Sequence, residues 1–257
     1  MNMSFWNAAV GAQQQMLRMQ VQGNNIANVN TSGYKAEVAT FAELMFRDVE
    51  GIDGERLPKG TGTYMTKATT NYTTRAIMGS DRELDFAIEG NGFFGLYDPS
   101  DGEISFTRDG SFTITQFFLP PDENAEPGPD GEDPEPTEVW RLSDGDGRFV
   151  LDAWGNFITV DPMEEGAYNL DNLNIGVFDF QIYDGKLHAD DSRFIPIDKN
   201  GGVRVGSGTV RQGMLEMSNV DLGTELVKVI EAQRAYGVAL KMVMTSDEIE
   251  QTINGLR

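Results

Sequence analysis

Apolar residues recur at helical spacing at both ends of this chain. Near the amino terminus they alternate at four and three residues through Phe5, Ala9, Ala12, Met16, Met19, Gly23 and Ile26. Near the carboxy terminus the same alternation runs from Leu222 through Leu226, Val229, Gln233, Tyr236, Leu240 and Val243. A mean spacing of about 3.5 residues is typical of the contact stripe of a coiled coil. The pattern predicts two helices that pair with each other or with helices of neighbouring copies.

Between the two helices the apolar period changes from helical to alternating. Leu84, Phe86 and Ile88 alternate with polar or small residues, which predicts a half-buried strand followed by a hairpin turn at Gly90-Asn91-Gly92. Further short apolar stretches follow, separated by Gly, Asp and Asn: FFGLY, VWRL, RFVLDAWGNFITV, LNIGVFDFQIYDGKL and RFIPI. Short strands with frequent turns are typical of an antiparallel sandwich or barrel. The predicted fold class is α+β, with paired coiled-coil-like terminal helices and a central antiparallel β domain.

These patterns divide the chain into predicted regions. Residues 1–34 and 214–257 form a terminal helical domain, residues 35–82 a linking region, and residues 83–213 a β-rich domain. An acidic loop at 119–138 interrupts the β domain; its stretch Pro120 to Glu138 holds six prolines and eight acids and is expected to be exposed and mobile. Ser218, with Asp221 three residues later, predicts the start of the second helix as in a capping box.

Charge and cysteine content exclude several classes of function. The 257 residues carry 41 acids and 20 Lys or Arg, a net charge of −21, which argues against nucleic acid and against an anionic membrane surface. The absence of cysteine excludes disulfides, thiolate metal sites and a cysteine nucleophile. The amino-terminal sequence lacks the basic and apolar regions of a cleaved signal, and no apolar run approaches membrane-spanning length.

No residue pattern predicts catalysis. His188 is the only histidine and has no nucleophile or orienting partner nearby in sequence. Asp144-Gly145-Asp146-Gly147 resembles part of a calcium loop, but a hairpin turn explains it equally well. Carboxylates are numerous enough for a glycosidase pair, yet they cluster in turns and in the acidic loop. We therefore predict no catalytic residue, no cofactor, no bound metal and no small-molecule substrate.

Several motifs resemble a known family. NNIANVNTSGYK, residues 24–35, is similar to the signature that follows the first helix in bacterial flagellar axial proteins of the rod and hook family. RELDFAIEGNGFF and FTRDGSF resemble the entry into the β domain of that family, and the sequence from QGMLEMSNVDLG to the end resembles its carboxy-terminal helix. Residues 117–200 match little of the family.

This resemblance implies a structural subunit of the flagellar basal-body rod. In the family, the terminal helices form a coiled-coil-like inner layer, copies stack helically into a torque-transmitting tube, and the β domain faces outward. The implied partners are copies of the chain, other rod and hook proteins and the flagellar type III export apparatus. Chain length and AQRAYG favour a rod protein over a hook protein, the distal rod type first and the proximal type next.

The helix stripes and the signature motif together give the predicted assembly interface. Its residues are Phe5, Ala9, Ala12, Met16, Met19, Asn25, Ala27, Asn28, Asn30, Thr31, Gly33, Tyr34, Leu226, Val229, Gln233, Arg234, Tyr236, Leu240 and Val243. Two other classes of protein remain as alternatives at this point. An extracellular β-rich binding protein would share the acidic middle without needing matched terminal helices, and a cell-wall hydrolase would need a cleft with two carboxylates.

Overall fold

Two long helices enclose a series of short strands along the chain. The computed structural model describes residues 3–43, 47–50, 56–59, 62–119, 137–161, 173–183 and 193–256. Helix α1 spans Met3–Ala27 and helix α2 spans Leu222–Gly255. The strands, numbered β1 to β16, are Glu37–Glu43, Arg47–Glu50, Arg56–Lys59, Thr63–Thr70, Ile77–Gly79, Phe86–Glu89, Phe93–Tyr97, Ile104–Thr107, Thr113–Leu119, Thr137–Ser143, Phe149–Val150, Val177–Asp179, Arg193–Phe194, Arg204–Val205, Thr209–Gln212 and Met214–Glu216. The predicted α+β class is confirmed, whereas His188 and most of the acidic loop lie outside the described residues.

The chain forms two compact units, of which the first holds both helices. This helical unit comprises Met1–Asn30, Lys35–Thr73 and Ser218–Arg257. The Thr-rich segment after α1 forms an antiparallel pair, β1 with β4, with a bulge between Thr40 and Phe41, and β2 pairs with β3. The residues predicted as a linking region thus include strands that belong to the helical unit.

The second unit is an antiparallel β unit of Thr31–Tyr34 and Thr74–Met217. Its largest sheet has eight strands in the order β13-β8-β7-β11-β10-β9, with β12 joining β7 to β14. Two smaller pairs, β15 with β6 and β16 with β5, complete it. The core combines residues from several strands, including Ile88, Phe94, Leu96, Leu142 and Val150. Burial of these side chains supplies the main driving force for folding of the unit.

The predicted hairpin at Gly90-Asn91-Gly92 is wrong. The strands on its two sides do not pair, because β6 pairs with β15 while β7 pairs with β8, β11 and β12. Gly92 has φ of 134°, and an added Cβ would lie 2.3 Å from Cγ1 of Val177, so glycine permits a close crossing rather than a tight turn. The strand β6 is also buried on both faces, since Ala87 is as inaccessible as Phe86 and Ile88.

The Asp144-Gly147 segment forms a hairpin turn between β10 and β11. The Asp144 carboxylate accepts hydrogen bonds from the backbone N–H groups of Asp146 and Arg148, and it pairs with the Arg148 guanidinium at 2.7 Å. Gly147 takes the left-handed conformation that this turn requires, with φ of 85°. Within the described residues, no group of acidic or histidine side chains is placed to hold a metal ion.

The predicted start of α2 is displaced by three residues. Asp221, not Ser218, is the N-cap residue, and its carboxylate accepts a hydrogen bond from the Thr224 hydroxyl at 2.5 Å. Ser218 instead bonds the nearby N–H of Val220. The side chain of the intervening Asn219 accepts from Ala36 N and donates to the carbonyls of Asn71 and Thr73, so it anchors the segment before the helix.

Candidate assembly interface

The two helices pack against each other in antiparallel order. Three side-chain contacts fix the register: Ser4 with Ser246 at 3.4 Å, Arg18 with Glu231 at 3.7 Å and Asn25 with Glu225 at 3.3 Å. Small residues, Ala12 on α1 and Ala232 on α2, are buried at this contact. Small side chains allow helix axes to approach closely, so the contact is tight but contributes little apolar area.

A buried polar cluster closes one end of the helix pair. Asn25, which is 1% exposed, donates from Nδ2 to the carbonyl of Glu37 at 2.8 Å and accepts at Oδ1 from the N–H of Glu37 at 2.9 Å. Asn25 also donates to Glu225, whose other oxygen accepts from Lys228 at 2.6 Å. Because each of these groups is costly to bury unpaired, the cluster favours one register of α1, α2 and β1.

The signature motif forms the segment that leaves α1. Asn28 donates to the carbonyl of Asn24, which satisfies an acceptor at the end of the helix. Gly33 has φ of 67°, and a Cβ there would lie 2.3 Å from the backbone nitrogen of Asp109. Tyr34 is buried, whereas Ala27 and Asn30 are exposed and Thr31 is half-buried. The motif residues therefore divide into intramolecular anchors and exposed positions.

On α2 the stripe that contacts α1 is not the predicted one. Val229, Tyr236 and Val243 are half-buried, but the intervening predicted positions Leu226, Gln233 and Leu240 are exposed, as is Arg234. The residues buried in their place are Glu225, Ala232 and Ser246. Together with Val229, Tyr236 and Val243, these buried residues form a stripe with helical spacing of three and four residues. The predicted stripe has the same spacing and includes the same Val229, Tyr236 and Val243. Spacing alone cannot separate them, because α2 carries apolar residues on every side.

The remaining faces of α2 are exposed and carry many apolar side chains. Apolar residues that are at least 40% exposed occur along its whole length: Leu222, Leu226, Val227, Ile230, Val238, Leu240, Met242, Met244, Ile249 and Ile253. Charged residues such as Glu231, Arg234 and Lys241 are exposed between them. Neither helix in the described part of the chain has the length and apolar character that a membrane crossing requires.

Helix α1 cannot cover these faces. It has 25 residues and α2 has 34, and the contact of Ser4 with Ser246 leaves the last two turns of α2 beyond the start of α1. On α1 itself the predicted stripe is only partly used: Ala12 is buried, Phe5, Ala9 and Met19 are half-buried, and Met16 is exposed. Trp6 and Met16 add exposed apolar surface on the side of α1 away from its contacts.

Two residues of the family-like motifs form a buried ion pair that the sequence did not predict. Arg108 of FTRDGSF and Glu216 of QGMLEMS meet at 3.0 Å, with side chains that are 3% and 1% exposed. Arg108 also donates to the carbonyls of Ile88 and Gly90, and Glu216 accepts from the N–H of Arg75. An Arg and a Glu 108 positions apart gave no local signal of this contact.

Comparison with known proteins is consistent with this architecture. Three family models match: "Flagella basal body rod protein" at residues 6–35, "Flagellar hook protein FlgE/F/G D1 domain" at 87–117, and "Flagellar basal body rod FlgEFG protein C-terminal" at 211–256. Among similar proteins, the flagellar basal-body rod protein FlgG of Buchnera aphidicola from Schizaphis graminum is 31% identical, over 98% of this chain and 99% of its own. FlgG of Bacillus subtilis is 31% identical over 99% and 98%, and FlgF of Caulobacter vibrioides is 28% identical over 95% and 94%.

The chain belongs to the flagellar basal-body rod protein family. It is a structural subunit of the rod, located in the flagellar basal body. The resemblance seen in the sequence motifs is confirmed, and the matched segments coincide with α1 and its following loop, with strands β7 to β9, and with α2.

Proposed function

We propose that the exposed faces of α2 and α1 are the surfaces through which copies of this subunit polymerise helically into a torque-transmitting shaft. The observation that supports the proposal most directly is the run of exposed apolar side chains along α2. Burying one Leu, Ile or Met side chain contributes about 1.5–3 kcal/mol, so a few such contacts per neighbour are enough to hold subunits together. A repeated contact whose rotation does not close produces an open helical polymer.

The proposal separates two sets of helix residues by role. Ala232 and its neighbours on the buried stripe hold α2 on α1 within one subunit, whereas Met244 and Leu240 on the exposed faces contact other copies. The predicted interface residues Leu226, Gln233 and Arg234 fall in the second set. Val229, Tyr236 and Val243 lie at the edge of the α1 contact. They contribute both to that contact and to the contacts with other copies.

The proposal extends to further partners and to the manner of delivery. Other rod and hook proteins would meet the same helix faces at the two ends of the polymer, and the flagellar type III export apparatus would deliver the subunit. Chain length and the AQRAYG stretch favour the distal rod position. The proposal contains no catalytic step, because the family is one of structural rod proteins.

The test is a charge placed on the exposed face. Met244 is 64% exposed, so Met244→Asp should change the free energy of unfolding of the purified subunit by no more than about 0.5 kcal/mol. The same change should abolish rod incorporation, because an unpaired charge would be buried between subunits. Incorporation is measured by complementation of motility and by imaging basal bodies in cells that lack the native subunit. Leu240→Asp should behave in the same way.

Two control variants make the result specific. Met244→Leu keeps an apolar side chain of similar volume and should assemble normally. Ala232→Asp places a charge in the intramolecular contact, where Ala232 is fully buried, and should lower the unfolding midpoint of the isolated subunit. Normal rods built from Met244→Asp and Leu240→Asp subunits would refute the proposed use of the exposed faces.

A further inference from the structure

The β unit contains an arginine enclosed by three aromatic rings. The guanidinium of Arg141 on β10 lies 5.1 Å from the ring centre of Phe117, 5.0 Å from that of Phe149 and 4.4 Å from that of Phe157. Phe149 also packs edge-on against Phe117 and Phe157. Sheet register produces this arrangement, because Arg141 pairs with Thr115 on β9 and forms an isolated bridge with Thr159, two residues after Phe157.

Two other arginines of the unit, the buried Arg108 and the half-buried Arg148, have carboxylate partners, but Arg141 does not. Arg108 pairs with Glu216, and Arg148 pairs with Asp144, Asp98 and Asp146. Arg141 is only 8% exposed, yet among the described residues it forms no ion pair. Its Nε has no hydrogen-bond partner, as is also true of Arg108, Arg148 and Arg193, so the missing carboxylate is what distinguishes it from Arg108 and Arg148. A cation removed from water without a counter-charge is costly, and ring faces compensate for only part of the cost.

We propose that Arg141 and the three rings form a carboxylate-binding site. The three rings surround the guanidinium, and its N–H groups can bind a carboxylate in a two-pronged arrangement. Phe157 is 37% exposed and marks the open side of the site. The apolar rings lower the local dielectric constant, which strengthens the attraction for an anion that enters. The site is independent of the proposed use of the helix faces.

Two sources of the carboxylate share this chemistry. One is an acidic side chain of a second copy, since the chain has 41 acids and its family forms the rod. The other is a free carboxylate ion. The first source would make Arg141 an intermolecular contact of the β unit, and the second would make it a small-anion site.

The experiment follows the arginine side-chain N–H signals of the full chain by NMR, with ¹⁵N-labelled arginine. Sodium acetate replaces sodium chloride at constant ionic strength. The wild-type protein should show a saturable shift of one Nε–H signal, and the absence of that signal from the Arg141→Lys spectrum assigns it to Arg141. Arg204→Met removes an exposed charge elsewhere and should retain the shift. The proposal is overturned if acetate produces no saturable shift. It is also overturned if a separate titration with sodium chloride shifts the same signal equally.

A second measurement distinguishes the sources and covers variants that fold poorly. Sedimentation of the wild-type protein over a range of concentrations should show weaker self-association in acetate than in chloride if a second copy supplies the carboxylate. Unchanged sedimentation beside a saturable NMR shift would assign the site to a free anion. If Arg141→Met unfolds at a higher temperature than wild type and acetate stabilises neither protein, Arg141 is only a packing residue and the proposal is refuted.

Discussion

The buried pair of Arg108 and Glu216 offers the sharpest test of how the β unit is stabilised. In Arg108→Met the carboxylate of Glu216 keeps the N–H of Arg75 but loses its counter-charge, and the carbonyls of Ile88 and Gly90 each lose a donor. Removing one partner of a buried pair costs about 3–5 kcal/mol. We expect a loss in this range for Arg108→Met.

Glu216→Gln should cost less than Arg108→Met. Glu216→Gln leaves the Arg108 guanidinium buried without a counter-charge, but the glutamine oxygen can still accept from Arg75 or Arg108. We therefore expect a loss at the lower end of the same range, about 3 kcal/mol. In the double variant neither charge is stranded. The two changes should therefore couple, with the double variant more stable than the sum of the single losses by about 1–3 kcal/mol.

The assay is urea unfolding followed by tryptophan fluorescence in a Trp6→Phe background. Trp6 is in the helical unit, so the remaining signal comes from Trp140 and Trp154 of the β unit. The quantities compared are the free energies of unfolding of wild type, both single variants and the double variant. Additive losses within about 0.5 kcal/mol would refute the reasoning, because they would mean that the two charges do not depend on each other.

Three further predictions concern single positions. Asn25→Ala should destabilise the helical unit by about 2–4 kcal/mol, because the N–H and carbonyl of Glu37 lose their Asn25 partners and the Glu225 carboxylate loses one donor while keeping Lys228. The measurement is Trp6 fluorescence in urea, in a background in which Trp140 and Trp154 are replaced by Phe. Burial raises the pKa of Asp109, so the native state binds the proton more tightly than the unfolded state does. The native state therefore loses stability as pH rises from about 4 through that pKa. Asp109→Asn should be more stable than wild type at pH 7, and the difference should vanish near pH 3 in parallel urea titrations. Gly33→Ala should lower the stability measured by thermal unfolding by at least about 2 kcal/mol, because Gly33 has a positive φ and an added Cβ would overlap the backbone of Asp109. Gly202→Ala is the control, since the space around Gly202 is open, and it should change stability little.

The helices and about half of the strands, β6 to β13, could be predicted from the sequence because these stretches have a local apolar pattern bounded by turn residues. Spacing of three and four gave α1 and α2, and alternation gave β7 and β8 with the turn between them. Turn residues also located the β10–β11 hairpin at Asp144. The failures were contacts between distant segments. The Gly90-Gly92 segment has the residues of a hairpin turn, but β6 pairs with β15, whereas β7 pairs with β8, β11 and β12.

The sequence by itself determined that both ends are helical, that the middle is an antiparallel β region, and that the chain resembles a flagellar axial protein. It also determined that the second helix is longer than the first, so that one cannot cover the other. Only the tertiary structure decided which stripe of α2 faces α1. An apolar helix offers several equivalent stripes, and the choice depends on polar groups such as Asn25 and Glu225, which are tolerated in the interior only where they find each other. The same reason applies to Arg108 and Glu216. Their charges can be buried only where the fold brings the two side chains together, and their separation in sequence does not predict that contact.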